Sequence, residues 1–291
     1  MWGLSDPNVY WGAVMRLYDR ENLAGAYALA VKLGEGAAGR GLSVFRLIEA
    51  EYEAQRRGVI RSLTHWLSLQ YIDDEVGDQI EAMSTALRSL AEAEANRFGW
   101  TETVPVQVTL LSQDSDAWWA TSRFGYCTEK VPFYKIGIPF HALSSPARFA
   151  EVFRHEFAHV ISLSLSKGRI APWLGEGFSV YASGEDLLRA IQVFRSNPRQ
   201  WLSPKPLNLR FGPGLDLADP AKWLAYQQSG IIAHYLVGLR DERTLVALLR
   251  DHADESFWNN ARLLLGGSRT DAALRRTYGK SEEEIFRVAG P

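Results

Sequence analysis

The sequence predicts an α+β fold, because strand patterns are confined to one stretch of the chain and helical patterns precede and follow it. Alternating runs rich in aromatic and branched residues indicate strands between about residues 63 and 140. Apolar residues spaced three and four apart indicate helices elsewhere. The chain has 291 residues, 46% of them hydrophobic and 23% charged, which is an ordinary globular composition.

The first part of the chain is predicted to be helical from about residue 9 to residue 57, with an alanine-rich helical hairpin in the middle. No repeat at a fixed period accompanies this hairpin, and one such unit cannot bury its own apolar face. We therefore expect a helical prefix that packs on the next part of the chain.

The middle of the chain carries the strand patterns. We predict strands at 63–72 and 104–112, separated by a helix at about 75–98 that ends at Gly99. One or two more strands lie within 117–140 and end in FYKIGIPF. Because Pro139 cannot donate to a sheet ladder, we expect an edge strand or the end of one. This strand could pair with an extended peptide along a free edge, or it could simply be the last strand before the helix.

The second half is predicted to be mostly helical. Ser145 suits the N-cap and Pro146 the first turn of a helix that reaches about residue 166 and stops at Lys167-Gly168. A short helix, PWLGEGFSVYAS, comes after it. Residues 196–220 are rich in Pro and Gly and predict a long loop that forms a wall or lid. Later helices are expected at about 220–239, 242–252, 256–265, 270–277 and 281–288.

Composition excludes several classes of function. A net charge of −2 without a dominant basic stripe gives no support for a nucleic-acid partner. No apolar run reaches about 18 residues, so no transmembrane helix is predicted. The start of the chain lacks the pattern of a signal peptide, which favours the cytoplasm if the chain is complete. The single cysteine, Cys127, excludes an intramolecular disulfide. The oligomeric state stays open.

The segment FRHEFAHV contains the pattern His-Glu-x-x-His on the predicted helix 146–166. At 100° per residue, His155 and His159 lie about 40° and about 6 Å apart, so both rings can reach one metal ion. Glu156 falls within the apolar arc of this helix rather than on its charged side. The arc is formed by Phe149, Val152, Phe153, Val160 and Leu163.

A carboxylate placed among apolar side chains needs a partner, because an unpaired buried charge is expensive. A bound divalent cation and its water would supply one. Two histidines leave a zinc site short of a third protein ligand, and Glu176 is the best candidate, 17 positions after His159. Gly175 and Gly177 flank Glu176, and we expect them to let its helix approach the histidine helix closely.

HEFAH followed by WLGEGFSVY resembles the gluzincin metallopeptidases, and most of all their peptidase-MA-like group. The resemblance spans about residues 62–280. It implies a zincin-like, thermolysin-like catalytic unit with a small mixed sheet, an HExxH active-site helix and a mostly helical C-terminal part that closes the cleft. The corresponding division of the chain is 1–60, 61–185 and 186–291.

The resemblance also implies a function. His155, His159 and Glu176 would bind one Zn²⁺ per chain, and Glu156 would be the general base that activates a zinc-bound water to hydrolyse a peptide bond. Tyr226 is the candidate donor to the oxyanion, with His234 as second choice. The expected partner is therefore a peptide or protein substrate.

Two alternatives remain open beside the metallopeptidase. The first is a zinc-binding scaffold or interaction domain with little or no turnover, and the second is a helical interaction protein with a chance motif and no metal. Many gluzincins carry an acid three or four positions after the ligand Glu, where it orients a zinc histidine. This chain has Ser179 and Val180 there, so the orienting group must come from elsewhere. The remaining histidines that lack ligand spacing, expected to be structural or on the surface, are His65, His141 and His252.

Overall fold

A computed structural model describes residues 7–33, 42–101, 104–112, 125–130, 133–211, 220–254 and 268–291. They form a mixed α+β fold with one five-stranded sheet, which confirms the predicted class at this level. The chain divides into two compact units, the first comprising 1–90 and 103–152 and the second 91–102 and 153–291. The predicted division at residues 60 and 185 follows chain order instead and stays a prediction.

The first unit begins with three helices: α1 (Pro7–Asp19), α2 (Leu23–Leu33) and α3 (Leu42–Arg57). They agree with the predicted helical prefix. The turn between α1 and α2 places Glu21 in the left-handed region, at φ 57°, where glycine is the usual residue. The core of this helical region contains Val14, Tyr18, Leu23, Ala26, Ala30, Phe45 and Ile48.

The five strands are β1 (Val59–Ser62), β2 (Leu67–Tyr71), β3 (Val106–Leu110), β4 (Tyr126–Lys130) and β5 (Phe133–Ile138). Their order in the sheet is β1-β2-β3-β5-β4. The pairs β2–β3 and β3–β5 are parallel, whereas β1 and β4 pair antiparallel with β2 and β5. The sheet is therefore mixed, with a parallel centre.

The sheet differs from the prediction in two ways. The strand β1 was not predicted, because three of its four residues are exposed and show no alternation of buried and exposed positions. The segment FYKIGI is not an edge strand, since β5 pairs with β3 on one side and β4 on the other. Pro139 follows the last residue of β5, so its missing N–H interrupts no ladder. Because β5 has a neighbouring strand on each side, the expected pairing of a peptide with its free edge is wrong as well.

The two faces of the sheet differ in chemistry. One face is apolar across β2, β3 and β5, because the register aligns its buried side chains: Leu67, Leu69, Val106, Val108, Tyr134 and Ile136. The opposite face carries Gln70, Gln107, Thr109 and Lys135. Gln107 donates to the side chain of Gln70 at 2.8 Å, and Gln70 donates to the carbonyl of Ala54 in α3 at 3.2 Å. The polar face is thus buried except at the partly exposed Gln107, and Gln70 ties it to a helix by a hydrogen bond.

A buried group of charges, which we call the Glu51 cluster, joins the N-terminal helices to this polar face. It contains Tyr18, Glu21, Glu51, Tyr126 and Lys135. The Lys135 ammonium, 2% exposed, lies 2.6 Å from Glu51 Oε2 and 3.3 Å from Glu21 Oε2. The hydroxyls of Tyr18 and Tyr126 both donate to Glu51 Oε1, each at 2.5 Å. The helical prefix is therefore tied to the sheet by a paired and hydrogen-bonded set of charges.

Gly137 on β5 makes room for one member of this cluster. A Cβ at position 137 would lie 1.9 Å from the ring of Tyr126 on the neighbouring strand. Because glycine has no side chain, the Tyr126 ring crosses β5 and its hydroxyl reaches Glu51. Any other residue at position 137 would displace this ring.

The predicted helix at 75–98 is present but interrupted at its start. It consists of α4 (Asp73–Val76), a 3₁₀ turn (Gly77–Gln79) and α5 (Ile80–Arg97). Gly77 has φ 54°, which marks the break. Gly99 lies just beyond α5 with φ 59°, as expected of the residue that ends a helix.

The remaining helices are α6 (Pro146–Ser166), α7 (Pro172–Ser183), α8 (Leu188–Ser196), α9 (Pro204–Leu209), α10 (Pro220–Leu239), α11 (Glu242–Asp251), α12 (Arg269–Tyr278) and α13 (Glu282–Ala289). The long loop predicted at 196–220 is wrong in its first part, because the 3₁₀ turn Pro198–Gln200 and the helix α9 occupy it. Residues 212–219 of that loop and the helix predicted at 256–265 lie outside the described residues. None of the described helices combines the length and apolar character needed to cross a bilayer.

Candidate metal centre

Helix α6 carries the HEFAH motif and has clear signals at both ends. The hydroxyl of Ser145 accepts a hydrogen bond from the backbone N–H of Arg148 at 3.1 Å, which satisfies one free donor of the first turn. At the other end Lys167 and Gly168 both have positive φ, at 54° and 69°. The Gly168 N–H donates to the Leu163 carbonyl at 2.8 Å and closes the helix.

The burial of this helix agrees with the predicted position of Glu156. Its side chain is 3% exposed and that of His155 is 2% exposed, while His159 is half-buried. Glu156 forms no ion pair or hydrogen bond with any residue in the described part of the chain. Ser162, which lies outside the apolar arc of α6, is also buried and donates to the His159 carbonyl at 3.1 Å. Burial on this helix therefore extends beyond its apolar arc.

The three predicted ligands come together. Glu176 Oε2 lies 3.2 Å from His159 Nε2 and 3.7 Å from His155 Nε2. One donor atom from each of the three residues falls within 4.8 Å of the other two. Glu176 Oε2 is buried and accepts no hydrogen bond of good geometry from the described residues. Two nitrogens and one oxygen therefore converge on a common point.

The helix α7 presents Glu176, and one of its glycines explains how it is placed. A Cβ on Gly177 would lie 2.5 Å from the backbone oxygen of Ser229 in α10, so α7 and α10 touch through their backbones. A Cβ on Gly175 would meet nothing closer than 3.7 Å. The predicted reason for both glycines is therefore wrong: only Gly177 is required by a close approach, and the neighbour is α10 rather than α6.

A further carboxylate, that of Glu185, faces the other side of the His155 ring. Its Oε1 lies 3.0 Å from His155 Nδ1, the ring nitrogen that does not face Glu176. Ser183 donates to Glu185 Oε1 at 3.0 Å, and Gln227 donates to Oε2 at 3.3 Å. Sequence analysis missed Glu185, although it follows Gly184, a glycine at φ 76° that ends α7 and turns the chain back.

The charges of this group do not balance. Glu156, Glu176 and Glu185 surround two imidazoles, and no lysine or arginine among the described residues pairs with any of the three carboxylates. Burial alone would lower the pKa of His155, but the nearby carboxylates of Glu176, Glu185 and Glu156 raise it to about 10. Burial would raise the pKa of Glu176, but both histidines lower it to about 2. The cluster therefore attracts positive charge.

Glu156 behaves differently from the other carboxylates. Burial raises its pKa, with Glu176 and Glu185 adding to the shift while the two histidines oppose it. A carboxylate with a raised pKa is a stronger base than an ordinary carboxylate, which suits a group that accepts a proton.

Tyr226 lies beside the cluster, whereas His234 does not. The rings of Tyr226 and His155 are 6.3 Å apart, and the Tyr226 ring also packs edge-on against Phe211 at 5.2 Å. Burial and the charges of Glu176, Glu156 and Glu185 raise the pKa of Tyr226, so its hydroxyl stays protonated. The exposed His234 ring instead packs on Tyr181 at 4.8 Å. The structure therefore favours Tyr226 over the second choice.

The other histidines take no part in this cluster. His252 is buried and its two nitrogens meet the Leu248 carbonyl at 2.8 Å and the Thr270 hydroxyl at 3.1 Å, which is a structural role. His65 is exposed after β1, and His141 is half-buried in the 3₁₀ turn before α6.

Comparisons of the chain with protein-family models, with curated proteins and with solved structures found no match in any of the three. The arguments on function therefore rest on the residues of the site.

Proposed function

We propose that this chain is a zinc-dependent metallopeptidase that holds one Zn²⁺ per chain through His155, His159 and Glu176. The observation that carries the proposal is the convergence of three donor atoms within 4.8 Å, one of them a buried carboxylate oxygen that accepts no hydrogen bond of good geometry from the described residues. Two imidazole nitrogens and a carboxylate oxygen are a ligand set of catalytic zinc sites, which keep a fourth position open.

The residues around these donors also fit a divalent cation. The carboxylates of Glu156, Glu176 and Glu185 outnumber the two imidazoles, so a bound cation would reduce the repulsion between them. When bound, Zn²⁺ supplies a Lewis acid that polarises a peptide carbonyl and makes a water molecule more acidic.

Two side chains have the properties that peptide hydrolysis needs. Glu156 would take a proton from the attacking water and return it to the leaving amine, because it is buried, lacks an ion pair among the described residues and has a raised pKa. The Tyr226 hydroxyl, kept protonated beside the carboxylates, would donate to the oxyanion of the tetrahedral intermediate.

The zincin-like architecture is part of the proposal. It is supported by a small mixed sheet that precedes the HExxH helix in the chain, by the Glu helix α7 that comes after it, and by a helical C-terminal part. These are the elements, in the same order along the chain, that the resemblance to gluzincins implies.

The experiment that tests the proposal measures metal content and turnover on the same preparations. We expect elemental analysis of protein purified without chelators to give close to one zinc per chain. We also expect Glu156→Gln to keep the zinc and lose about 100-fold or more of the cleavage rate on casein or a peptide library. Glu151→Gln, which alters a half-exposed glutamate on the same helix, is the matched control and should leave both unchanged.

Each negative outcome points to one alternative. Zinc-free wild type that takes up no added zinc would show that HEFAH is a chance motif. Stoichiometric zinc with equal behaviour of wild type and Glu156→Gln would leave a zinc-binding scaffold without turnover.

A further inference from the structure

We infer that Glu185 is the positioning residue of the proposed zinc site and holds the His155 ring with its Nε2 turned towards Glu176. This inference rests on the proposed function, since it assigns a role in holding the same metal. Glu185 lies outside both motifs that carry the resemblance, nine positions after Glu176.

The first step concerns the two nitrogens of His155. An ionised carboxylate can only accept hydrogen bonds, so at 3.0 Å from Glu185 the proton of a neutral His155 lies on Nδ1. The lone pair then lies on Nε2, the nitrogen 3.7 Å from Glu176 Oε2. Glu185 thus selects the tautomer that presents a metal-binding nitrogen to the cluster.

The second step concerns how Glu185 is itself held. Ser183, in the last turn of α7, donates to Oε1, and Gln227 of α10 donates to Oε2. The side chain is only 8% exposed. Both oxygens therefore have donors from fixed helices, and the carboxylate cannot turn away from His155 without losing them.

The third step explains why the acid is not at position 179 or 180. The Val180 side chain fills the space over Gly230, where an added Cβ would lie 2.3 Å from Val180 Cγ1. Ser179 is fully buried within α7. Val180 thus packs against α10 and Ser179 is enclosed, and the acid that contacts His155 comes from beyond Gly184, where the chain has turned back.

The fourth step is an asymmetry between the two histidines. His155 is buried and has Glu185 on its far nitrogen, whereas the His159 side chain is 18% exposed and its Nδ1 meets no hydrogen-bond partner in the described ranges. His155 is therefore the fixed ligand and His159 the adaptable one. Loss of Glu185 would remove the carboxylate that faces His155 Nδ1.

The competing explanation is that Glu185 only links α6 to the segment after α7. A merely structural link would change the stability of the protein without changing the metal. The test must therefore read the metal itself.

The experiment compares Glu185→Ala and Glu185→Gln with wild type and with Asp186→Asn. Asp186 is the neighbouring acid; it is exposed and accepts from the Leu188 N–H, so its variant removes the same charge without touching His155. Zinc dissociation constants come from competition with a chromophoric chelator. Visible absorption of the Co²⁺-loaded protein reports the ligand geometry.

We expect Glu185→Ala to weaken zinc binding by about 10- to 100-fold and to alter the Co²⁺ spectrum. Glu185→Gln should lie between wild type and alanine, because an amide oxygen still accepts from Nδ1–H. Asp186→Asn should match wild type. The nearly isosteric glutamine variant keeps the test informative if the alanine variant does not fold.

The possible failures are distinguishable. Wild type that binds neither Zn²⁺ nor Co²⁺ overturns the proposed function and this inference with it. Wild type that binds both, with Glu185 variants of unchanged affinity and spectrum, overturns this inference alone. A lower unfolding midpoint with an unchanged Co²⁺ spectrum also overturns it, since Glu185 would then be only structural.

Discussion

Among the described residues, each unit contains a cluster of buried charged groups, the Glu51 cluster in the first and the candidate metal centre in the second, and the two are completed differently. In the Glu51 cluster, an ammonium group of the chain itself, that of Lys135, lies between two carboxylates, and two tyrosine hydroxyls donate to Glu51. In the candidate metal centre, three carboxylates surround two imidazoles, and no described lysine or arginine joins them.

The difference distinguishes a cluster that the chain completes by itself from one that we propose a metal ion completes. A buried ion pair is tolerated when geometry is good and the remaining atoms have hydrogen bonds. The Glu51 cluster meets this condition with residues of the chain. In the candidate metal centre, among the described residues, Glu176 Oε2 accepts no hydrogen bond of good geometry and Glu156 has no partner. Such unpaired carboxylates are expected in a site that binds a cation from solution and transfers a proton.

The largest expected effect is on the structural cluster. Lys135→Met should lower the free energy of unfolding by about 3 to 5 kcal/mol, because Glu51 would stay buried without a cation. Urea unfolding followed by tryptophan fluorescence measures it. Lys205→Met, the same change at an exposed lysine, is the control. An equal loss in both variants would contradict the assigned role of Lys135.

The second expected effect comes from adding zinc. At 100 times its dissociation constant, Zn²⁺ should raise the free energy of unfolding by about 2.7 kcal/mol, and a chelator should reverse the change. His159→Ala should abolish the response. Lys135→Met should keep it, because it alters only the other cluster. If stabilisation by Zn²⁺ were lost in Lys135→Met and kept in His159→Ala, the zinc would bind at the Glu51 cluster and not at the candidate metal centre.

The third effect is a pH dependence of the Glu51 cluster. Burial and the charge of Glu51 raise the pKa values of Tyr18 and Tyr126. A raised pKa in the folded state means that the stability contributed by the hydroxyl is present below about pH 10 and is lost as the pH rises further. Tyr126→Phe should therefore cost about 2 kcal/mol at pH 7.

The same reasoning sets the outcome at alkaline pH. The difference between wild type and Tyr126→Phe should narrow above about pH 10, in unfolding curves recorded at a series of pH values. If the difference in the free energy of unfolding between wild type and Tyr126→Phe stayed constant with pH, only the shape of the tyrosine would matter.

The smallest effect has the opposite sign. Glu156→Gln should leave the metal-free protein as stable as wild type at pH 7.5 or more stable by up to about 1 kcal/mol. The reason is that burial raises the pKa of Glu156, so the ionised side chain opposes folding above that pKa, and a neutral amide does not. Thermal unfolding in the presence of a chelator measures this. A clear loss of stability would mean that Glu156 has a structural partner.

Sequence analysis was accurate where the information is local. The bounds of α6, α7 and α10 follow from short-range features such as Ser145, Pro146 and the Lys167-Gly168 stop, and they were predicted to within a residue. The three donor residues also come together as predicted, because the spacing of two histidines on a helix fixes their relative position. Zinc binding and catalysis stay predictions.

The errors concern contacts between distant residues. The edge position assigned to β5 failed because strand order depends on pairing with β3 and β4, which no local pattern encodes. Glu185 was missed because its relation to His155 depends on how the chain turns at Gly184. The Glu51 cluster was missed for the same reason, since its members come from two helices, one turn and two strands.

The contact between Gly177 and the Ser229 carbonyl has a consequence for the tolerance of the site. A metal centre works only when its ligands are held within about 0.5 Å of the required geometry. The residue after Glu176 rests directly on the backbone of α10, with no side chain and no rotatable bond between them. The distance between α7 and α10 is thus fixed by contact between their backbones. The position of Glu176, the candidate ligand, therefore does not vary with the conformation of an intervening side chain.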